Sequence, residues 1–119
     1  MAIKKATTKY GTVVGVPGED PSCTVFRGIP FVKPPVGKLR FSAPQEPDSW
    51  KGELVCDKWK KSCIEYHRPG SMSGAPAKGA TGFFSPLPET TEDSLYLNIW
   101  TPAESPEEKL PVMVWIHGG

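Results

Sequence analysis

The residues with the clearest chemical potential are His117, Gly118 and Gly119, which directly follow the apolar run 112–116. A strand that stops at consecutive glycines can bring backbone N–H groups close to a ligand, because glycine has no Cβ and few restrictions on φ. Such amides stabilise the negative oxygen that develops during acyl transfer. The pattern therefore indicates Gly118 and Gly119 as backbone donors of an oxyanion hole.

The 119 residues contain no matching nucleophile. Serine hydrolases of the α/β type carry their serine on a Gly-x-Ser-x-Gly turn, with an acid and a histidine further along the chain. The nearest approximation, at 70–74, reads Gly-Ser-Met-Ser-Gly and has Met72 in the nucleophile position. We interpret this segment as loop.

The elements that must position the glycines are predicted to be strands. Residues 94–100 alternate two sets of side chains, which predicts a strand with two distinguishable faces, and Pro102 should end it. The continuous apolar run 112–116 is typical of a strand covered on both faces in a mixed or parallel sheet. The polar, acidic stretch 103–109 reads as the linker between them.

The first part of the chain is also predicted to be β-rich. The runs 9–16 and 23–31 are separated by the turn-forming residues 17–21, which predicts a hairpin. Residues 54–61 fit a short helix and a strand equally well. Residues 63–91 are rich in glycine, proline and serine and predict a long surface loop.

Composition limits the function classes. Fourteen basic and thirteen acidic residues give a net charge of +1 without a sustained basic run, so neither nucleic acid nor an anionic membrane is an expected partner. No apolar segment is long enough to predict a membrane span or a secretory signal. Fourteen prolines and twelve glycines favour turns and loops over helices. Three cysteines, an odd number, favour a reducing compartment, and we expect the cytoplasm.

Three motifs together resemble a known family. GIPFVKPPVGKLRF (28–41), EDSLYLNIWTP (92–102) and PVMVWIHGG (111–119) are similar, in order and spacing, to the start of type-B carboxylesterases. The resemblance implies an α/β class: the N-terminal part of an α/β-hydrolase fold, with a β-hairpin, a long loop and the first strands of a mixed central sheet. The piece itself is expected to be mostly β and loop, and residues 1–119 to be one truncated portion of a single carboxylesterase domain.

The resemblance also assigns roles to residues. Gly119 matches the second glycine of a His-Gly-Gly-Gly run, whose second and third glycines donate their N–H groups, so the third would be residue 120. His117 matches the motif histidine, which shapes the turn, and neither it nor His67 is expected to act as general base. Phe84 occupies the place of a choline-binding tryptophan, and Phe83 or Phe84 is expected either to line a substrate pocket or to pin the loop.

Two further features follow from the resemblance. Arg40 and Glu92 match a buried, mutually bridged charge pair, so we expect them in hydrogen-bond contact as scaffold. Secreted members usually bridge a cysteine like Cys63 to one directly after Glu-Asp, where this chain has Ser94, so that bridge cannot form. This absence also favours a cytoplasmic enzyme.

The resemblance implies a serine ester hydrolase that acts on small-molecule carboxylic esters without a cofactor or metal. Because the triad is missing, we expect these residues to need the remainder of the same polypeptide and to be inactive alone. We also expect poor solubility, because the resemblance implies that the strands over 95–100 and 112–116 pair with strands encoded later, and exposed apolar strand edges favour aggregation. A catalytically inactive, neuroligin-like adhesion protein is the alternative, to be separated by whether a serine occupies the elbow downstream. A metal-binding module built on Cys56, Cys63 and His67 has spacings that do not match common zinc patterns.

Overall fold

The computed structural model describes residues 1–64 and 89–117. In these ranges the chain forms six strands and two short 3₁₀ helices, and no α-helix. The strands are β1 (Lys5–Thr8), β2 (Gly11–Val14), β3 (Val16–Pro17), β4 (Thr24–Pro30), β5 (Glu53–Val55) and β6 (Tyr96–Thr101). The 3₁₀ helices are Gly37–Leu39 and Pro106–Glu108. The expectation of a mostly β and loop structure is therefore confirmed for the described residues.

The first sheet has the order β1-β2-β5. Strands β1 and β2 are antiparallel, from Lys5 opposite Val14 to Thr8 opposite Gly11. Thr8 stabilises the tight turn between them, because its Oγ1 accepts the Tyr10 N–H at 3.1 Å and donates to the Gly11 carbonyl at 2.9 Å. Strand β5 adds parallel to β2, so the part of 54–61 left open between helix and strand begins as a strand.

The second sheet has the order β3-β4-β6 and contains the expected hairpin in a shortened form. Asp20 organises its turn by accepting the Ser22 N–H at 2.8 Å and the Ser22 hydroxyl at 2.7 Å. On the N-terminal side of the turn, only Val16 and Pro17 pair with β4, opposite Val25 and Thr24. The prediction was wrong for residues 11–14, which belong to the first sheet because β1 and β5 supply their hydrogen-bond partners.

Contacts divide the chain into two compact units. Unit 1 comprises residues 1–29, 49–58 and 98–119, and unit 2 comprises 30–48 and 59–97. The main core lies in unit 1, where Val13, Phe26 and Cys56 are at most 3% exposed and Trp50 and Leu54 pack against them. Cys56 joins this core through its backbone, donating to the Val14 carbonyl at 2.7 Å and accepting the Arg27 N–H at 2.8 Å.

The strand predicted over 94–100 is confirmed as β6, and it ends at Thr101, directly before Pro102. Its two faces are not distinguished by burial, since Leu97 is 37% exposed and Trp100 is 56% exposed. The side chains of β6 alternate between its two faces as predicted, but within the described ranges no segment packs on either face closely enough to bury it. The linker lies mostly on the surface, with Ala103 buried at its start. It contains the second 3₁₀ helix, with Ser105 and Glu108 forming a capping box.

The strand predicted over 112–116 is absent. These residues form no secondary structure and their side chains are 75–94% exposed. A strand exists only where a neighbour takes its N–H and C=O groups, and no described segment pairs with this run. The apolar pattern signals burial, but the described residues do not provide it.

Candidate active site

The proposed backbone donors and pocket aromatics cannot be placed. Gly118, Gly119, Phe83 and Phe84 lie outside the described residues, as do His67 and the Gly-Ser-Met-Ser-Gly segment. His117 is described: it is exposed and belongs to no helix or strand. What the structure does provide is the scaffold around two of the motifs, at residues 28–41 and 92–102.

The contact expected between Arg40 and Glu92 is present. Arg40 Nη2 donates to Glu92 Oε2 at 2.6 Å, and the two residues lie in the same unit. The hydrogen bond from Arg40 lowers the pKa of the Glu92 carboxyl, and the same bond raises the pKa of the Arg40 guanidinium. The pair tethers the proline-rich segment to the start of the EDSLYLNIWTP motif.

The burial that the resemblance attributes to the matching pair is not seen in the described part of this chain. The Arg40 side chain is 53% exposed and the Glu92 side chain 36% exposed. Water therefore screens the pair, and a surface ion pair contributes much less to stability than a buried one. The geometry is that of the expected scaffold, but in the described ranges nothing covers the two side chains enough to remove them from solvent.

A 3₁₀ turn presents Arg40 to its partner. Gly37 begins this turn with a φ of +57°, which costs glycine little, and the Arg40 N–H donates to the Gly37 carbonyl at 3.3 Å. Phe41 follows with a φ of +58° and a fully exposed ring. A bulky residue in this backbone region is uncommon and usually depends on its surroundings to hold it.

Asp93 and Tyr96 form a second fixed contact in the same motif. The Tyr96 hydroxyl donates to both carboxylate oxygens of Asp93, at 2.9 and 3.0 Å. Burial, followed by the hydrogen bond and negative charge of Asp93, raises the pKa of Tyr96 to about 12. The phenol therefore stays protonated at neutral pH and fixes Asp93 against the first residue of β6.

Asn98 is a structural anchor that the sequence reasoning missed. Gly28 lies within β4 and has a φ of +74°, and the Asn98 Oδ1 accepts its N–H at 2.8 Å. A polar side chain thus satisfies a backbone donor of a strand residue whose backbone lies outside the β region. An asparagine in the middle of an otherwise apolar strand was the available signal, since asparagine is disfavoured there without such a task.

No other constellation in the described ranges suggests a different chemistry. Residues 1–64 and 89–117 contain no group of three or more potential metal ligands. Cys23, Cys56 and Cys63 are not joined by a disulfide. Among the described helices, none has the length and apolarity needed to cross a bilayer.

A recess lined mainly by apolar residues lies in the described part of unit 2. Its volume is about 90 Å³, and Val32, Lys33, Leu39 and Leu95 are among its lining residues. Small-molecule sites usually occupy roughly 300–1,000 Å³. This recess is therefore too small to be the ester-binding site by itself.

Comparison with known proteins identifies the family. The carboxylesterase family profile matches residues 3–119. The chain is 42% identical to the medium-chain fatty acyl-CoA hydrolase precursor of Anas platyrhynchos, covering 97% of this chain and 21% of the relative. It is 38% identical to the para-nitrobenzyl esterase of Bacillus subtilis, covering 100% of this chain and 22% of the relative.

Solved structures agree with this result. A thermophilic PNB esterase superposes with a TM-score of 0.76 at 37% identity, covering 98% of this chain and 21% of that protein. Another PNB esterase structure gives 0.73 at 37% identity, again over 98% of this chain and 21% of the other. The chain thus spans about a fifth of the length of these relatives, and its strands and loops are part of an α/β-hydrolase fold. It belongs to the carboxylesterase family.

Proposed function

We propose that this chain forms part of the active site of a serine carboxylic ester hydrolase, which cleaves small-molecule carboxylic esters through an acyl-enzyme. The observation that carries the proposal is the family match across residues 3–119, together with relatives named as esterases and hydrolases. The Arg40–Glu92 contact supports it, because this pair was expected from the same resemblance. The route needs neither a metal nor an organic cofactor.

In this proposal Gly118 and Gly119 bring the backbone close to the ester carbonyl. The Gly119 N–H and that of the following residue stabilise the oxyanion of the tetrahedral intermediate, and Gly118 lets the backbone approach without a Cβ. One such donor contributes on the order of 3 kcal/mol to transition-state stabilisation. Phe83 and Phe84 line the acyl or alcohol pocket. The nucleophile, acid and base are supplied by residues outside these 119.

We also propose a reducing compartment such as the cytoplasm. The support is Ser94, which stands where secreted members carry the partner of a cysteine like Cys63. Thiol alkylation of intact cells before lysis tests this. Cys63 should be labelled without prior reduction, and recovery of Cys63 as a disulfide would contradict the assignment.

The activity is tested by comparing the 119 residues with the polypeptide extended through its natural reading frame. We expect the extended protein to release a burst of para-nitrophenol from para-nitrophenyl acetate and to be labelled on serine by a fluorophosphonate. The 119 residues alone should do neither. An extended protein that folds but takes up no fluorophosphonate would instead favour a non-catalytic binding protein.

The oxyanion role is tested in the extended enzyme with Gly119→Pro, which removes the N–H donor. We expect kcat to fall about 10²- to 10³-fold, with little change in KM, because the lost bond belongs to the transition state. The affinity for a trifluoromethyl ketone, which mimics the tetrahedral intermediate, should fall in parallel. A variant that keeps its melting temperature and its kcat would remove Gly119 from the oxyanion hole.

A further inference from the structure

The residues on either side of the stretch 63–88 lie next to each other in unit 2. Ser62 and Thr90 form a parallel bridge. The Ser62 N–H donates to the Glu89 carbonyl at 3.0 Å, and the Thr91 N–H donates to the Ser62 carbonyl at 2.9 Å. A parallel pairing of two segments requires a connection of about a dozen residues or more, and the intervening stretch is long enough.

Charged side chains reinforce this bridge. Lys61 Nζ lies 2.7 Å from Glu89 Oε2, and the hydrogen bond from Lys61 lowers the pKa of Glu89. Lys60 places its ammonium 5.3 Å from the centre of the Tyr96 ring, within the range of a cation–π contact. Two adjacent lysines before the stretch thus contact residues after it.

A third cation approaches the same segment from elsewhere in unit 2. Arg40 binds Glu92 at 2.6 Å. The segment 89–96 therefore carries acidic and aromatic groups that are met by cations from two separate parts of the chain. Glu89 forms its ion pair with Lys61, and Glu92 forms its ion pair with Arg40.

We propose that Lys60, Lys61 and Arg40 form an electrostatic clamp on residues 89–96, and that this clamp holds Ser62 beside Thr90 in a salt-sensitive way. Among the described residues, two backbone hydrogen bonds join residue 62 to the segment 89–91. The charged side chains beside them are exposed, with Lys61 58% and Glu89 78% exposed. Exposed ion pairs are weakened by salt. The two segments can therefore separate locally, without unfolding of the whole chain, and the free energy of this opening depends on ionic strength. The proposal does not depend on the proposed catalytic function.

Amide hydrogen exchange measures the clamp directly, with the Ser62 and Thr91 N–H groups as reporters. In the unmodified chain both amides should be protected at low salt, and adding 0.5 M NaCl should speed their exchange about twofold to fivefold. Lys61→Glu and Glu89→Lys should each give at least this acceleration at low salt. The double variant, which restores opposite charges with the signs exchanged, should recover most of the protection.

The matched control is Glu53→Lys in unit 1. It replaces an exposed ion pair of similar accessibility, Lys5 with Glu53, by two like charges. It should leave the Ser62 and Thr91 exchange rates unchanged. Unprotected reporter amides in the unmodified chain would overturn the proposal. So would salt-independent exchange, or a double variant that exchanges as fast as either single one.

Discussion

Substitution of Gly11 by alanine is expected to destabilise the core of unit 1 through one identifiable clash. Gly11 has a φ of +149°, and a Cβ at this position would lie 2.5 Å from Trp50 Nε1 and 2.7 Å from Trp50 Cδ1. Carbon contacts are optimal near 3.5–4.0 Å, so the indole must move by about 1 Å. That movement would disturb its hydrogen bond to the Thr12 carbonyl, which is 2.8 Å long.

The magnitude follows from three destabilising contributions and one that opposes them. Alanine in this backbone region costs about 1–3 kcal/mol, overpacking against the indole costs about 1–3 kcal/mol, and weakening the Trp50 hydrogen bond costs up to about 1 kcal/mol. The lower entropy of the unfolded alanine chain returns roughly 0.4–1 kcal/mol. We therefore expect Gly11→Ala to lower the free energy of unfolding by about 1–6 kcal/mol.

Gly52→Ala is the matched control. Gly52 also has a positive φ, +78°, but a Cβ there would meet nothing within 4 Å, so the variant carries backbone strain without the clash. It should cost only about 1–2 kcal/mol. The difference between the two variants isolates the contact with Trp50.

Pulse proteolysis in urea at submicromolar concentration measures these free energies while limiting association of the exposed apolar segments. In a Trp50→Leu background, the cost of Gly11→Ala should fall towards that of Gly52→Ala, because the obstructing ring is absent. Equal destabilisation by the two glycine variants, or an unchanged cost in the Trp50→Leu background, would refute the assigned clash.

The remaining predictions concern the two fixed contacts of the EDSLYLNIWTP motif. The pKa of Tyr96 is raised, so the contribution of its contact with Asp93 to stability is complete below about pH 10 and is lost as pH rises towards 12. The midpoint of the 295 nm difference titration between the unmodified chain and Tyr96→Phe should therefore lie near 12. Asp93→Asn should lower this midpoint. A midpoint at 10 would show that the phenol is not held by Asp93. The pKa of Glu92 is lowered, so the contribution of its pair with Arg40 to stability is present above pH 4.5 and is lost as pH falls below that value. In the unmodified chain the urea unfolding midpoint should therefore fall at acid pH, and Glu92→Gln should make this fall smaller. An equal fall in the variant would contradict the prediction.

The described part of the fold was predictable where local pattern and local pairing coincide. The alternation in β6 and the stop at Pro102 depend on the chain's own geometry, and both are present. The turn at residues 17–21 was predictable because Asp20 accepts a hydrogen bond from a residue two positions along the chain. The pairing partners of the strands could not be predicted from the sequence, because residues 11–14 pair with the preceding strand β1 and with β5, which lies far along the chain.

The candidate site divides in a similar way. The resemblance identified Arg40 and Glu92 as partners across a wide sequence separation, and the contact is present. Their exposure was not predictable, because burial depends on what surrounds a pair and not on the pair itself. The roles of Gly118, Gly119, Phe83 and Phe84 remain predictions, since these residues lie outside the described ranges.

The sequence by itself identified the family, because motif chemistry depends on residue type and order. It also determined where the strands and turns that close locally would form. Only the tertiary structure decided that β2 pairs with β5, that Asn98 caps Gly28, and that Lys61 meets Glu89. These contacts join residues distant in the chain, and no local preference specifies which distant donor or acceptor will satisfy a given group.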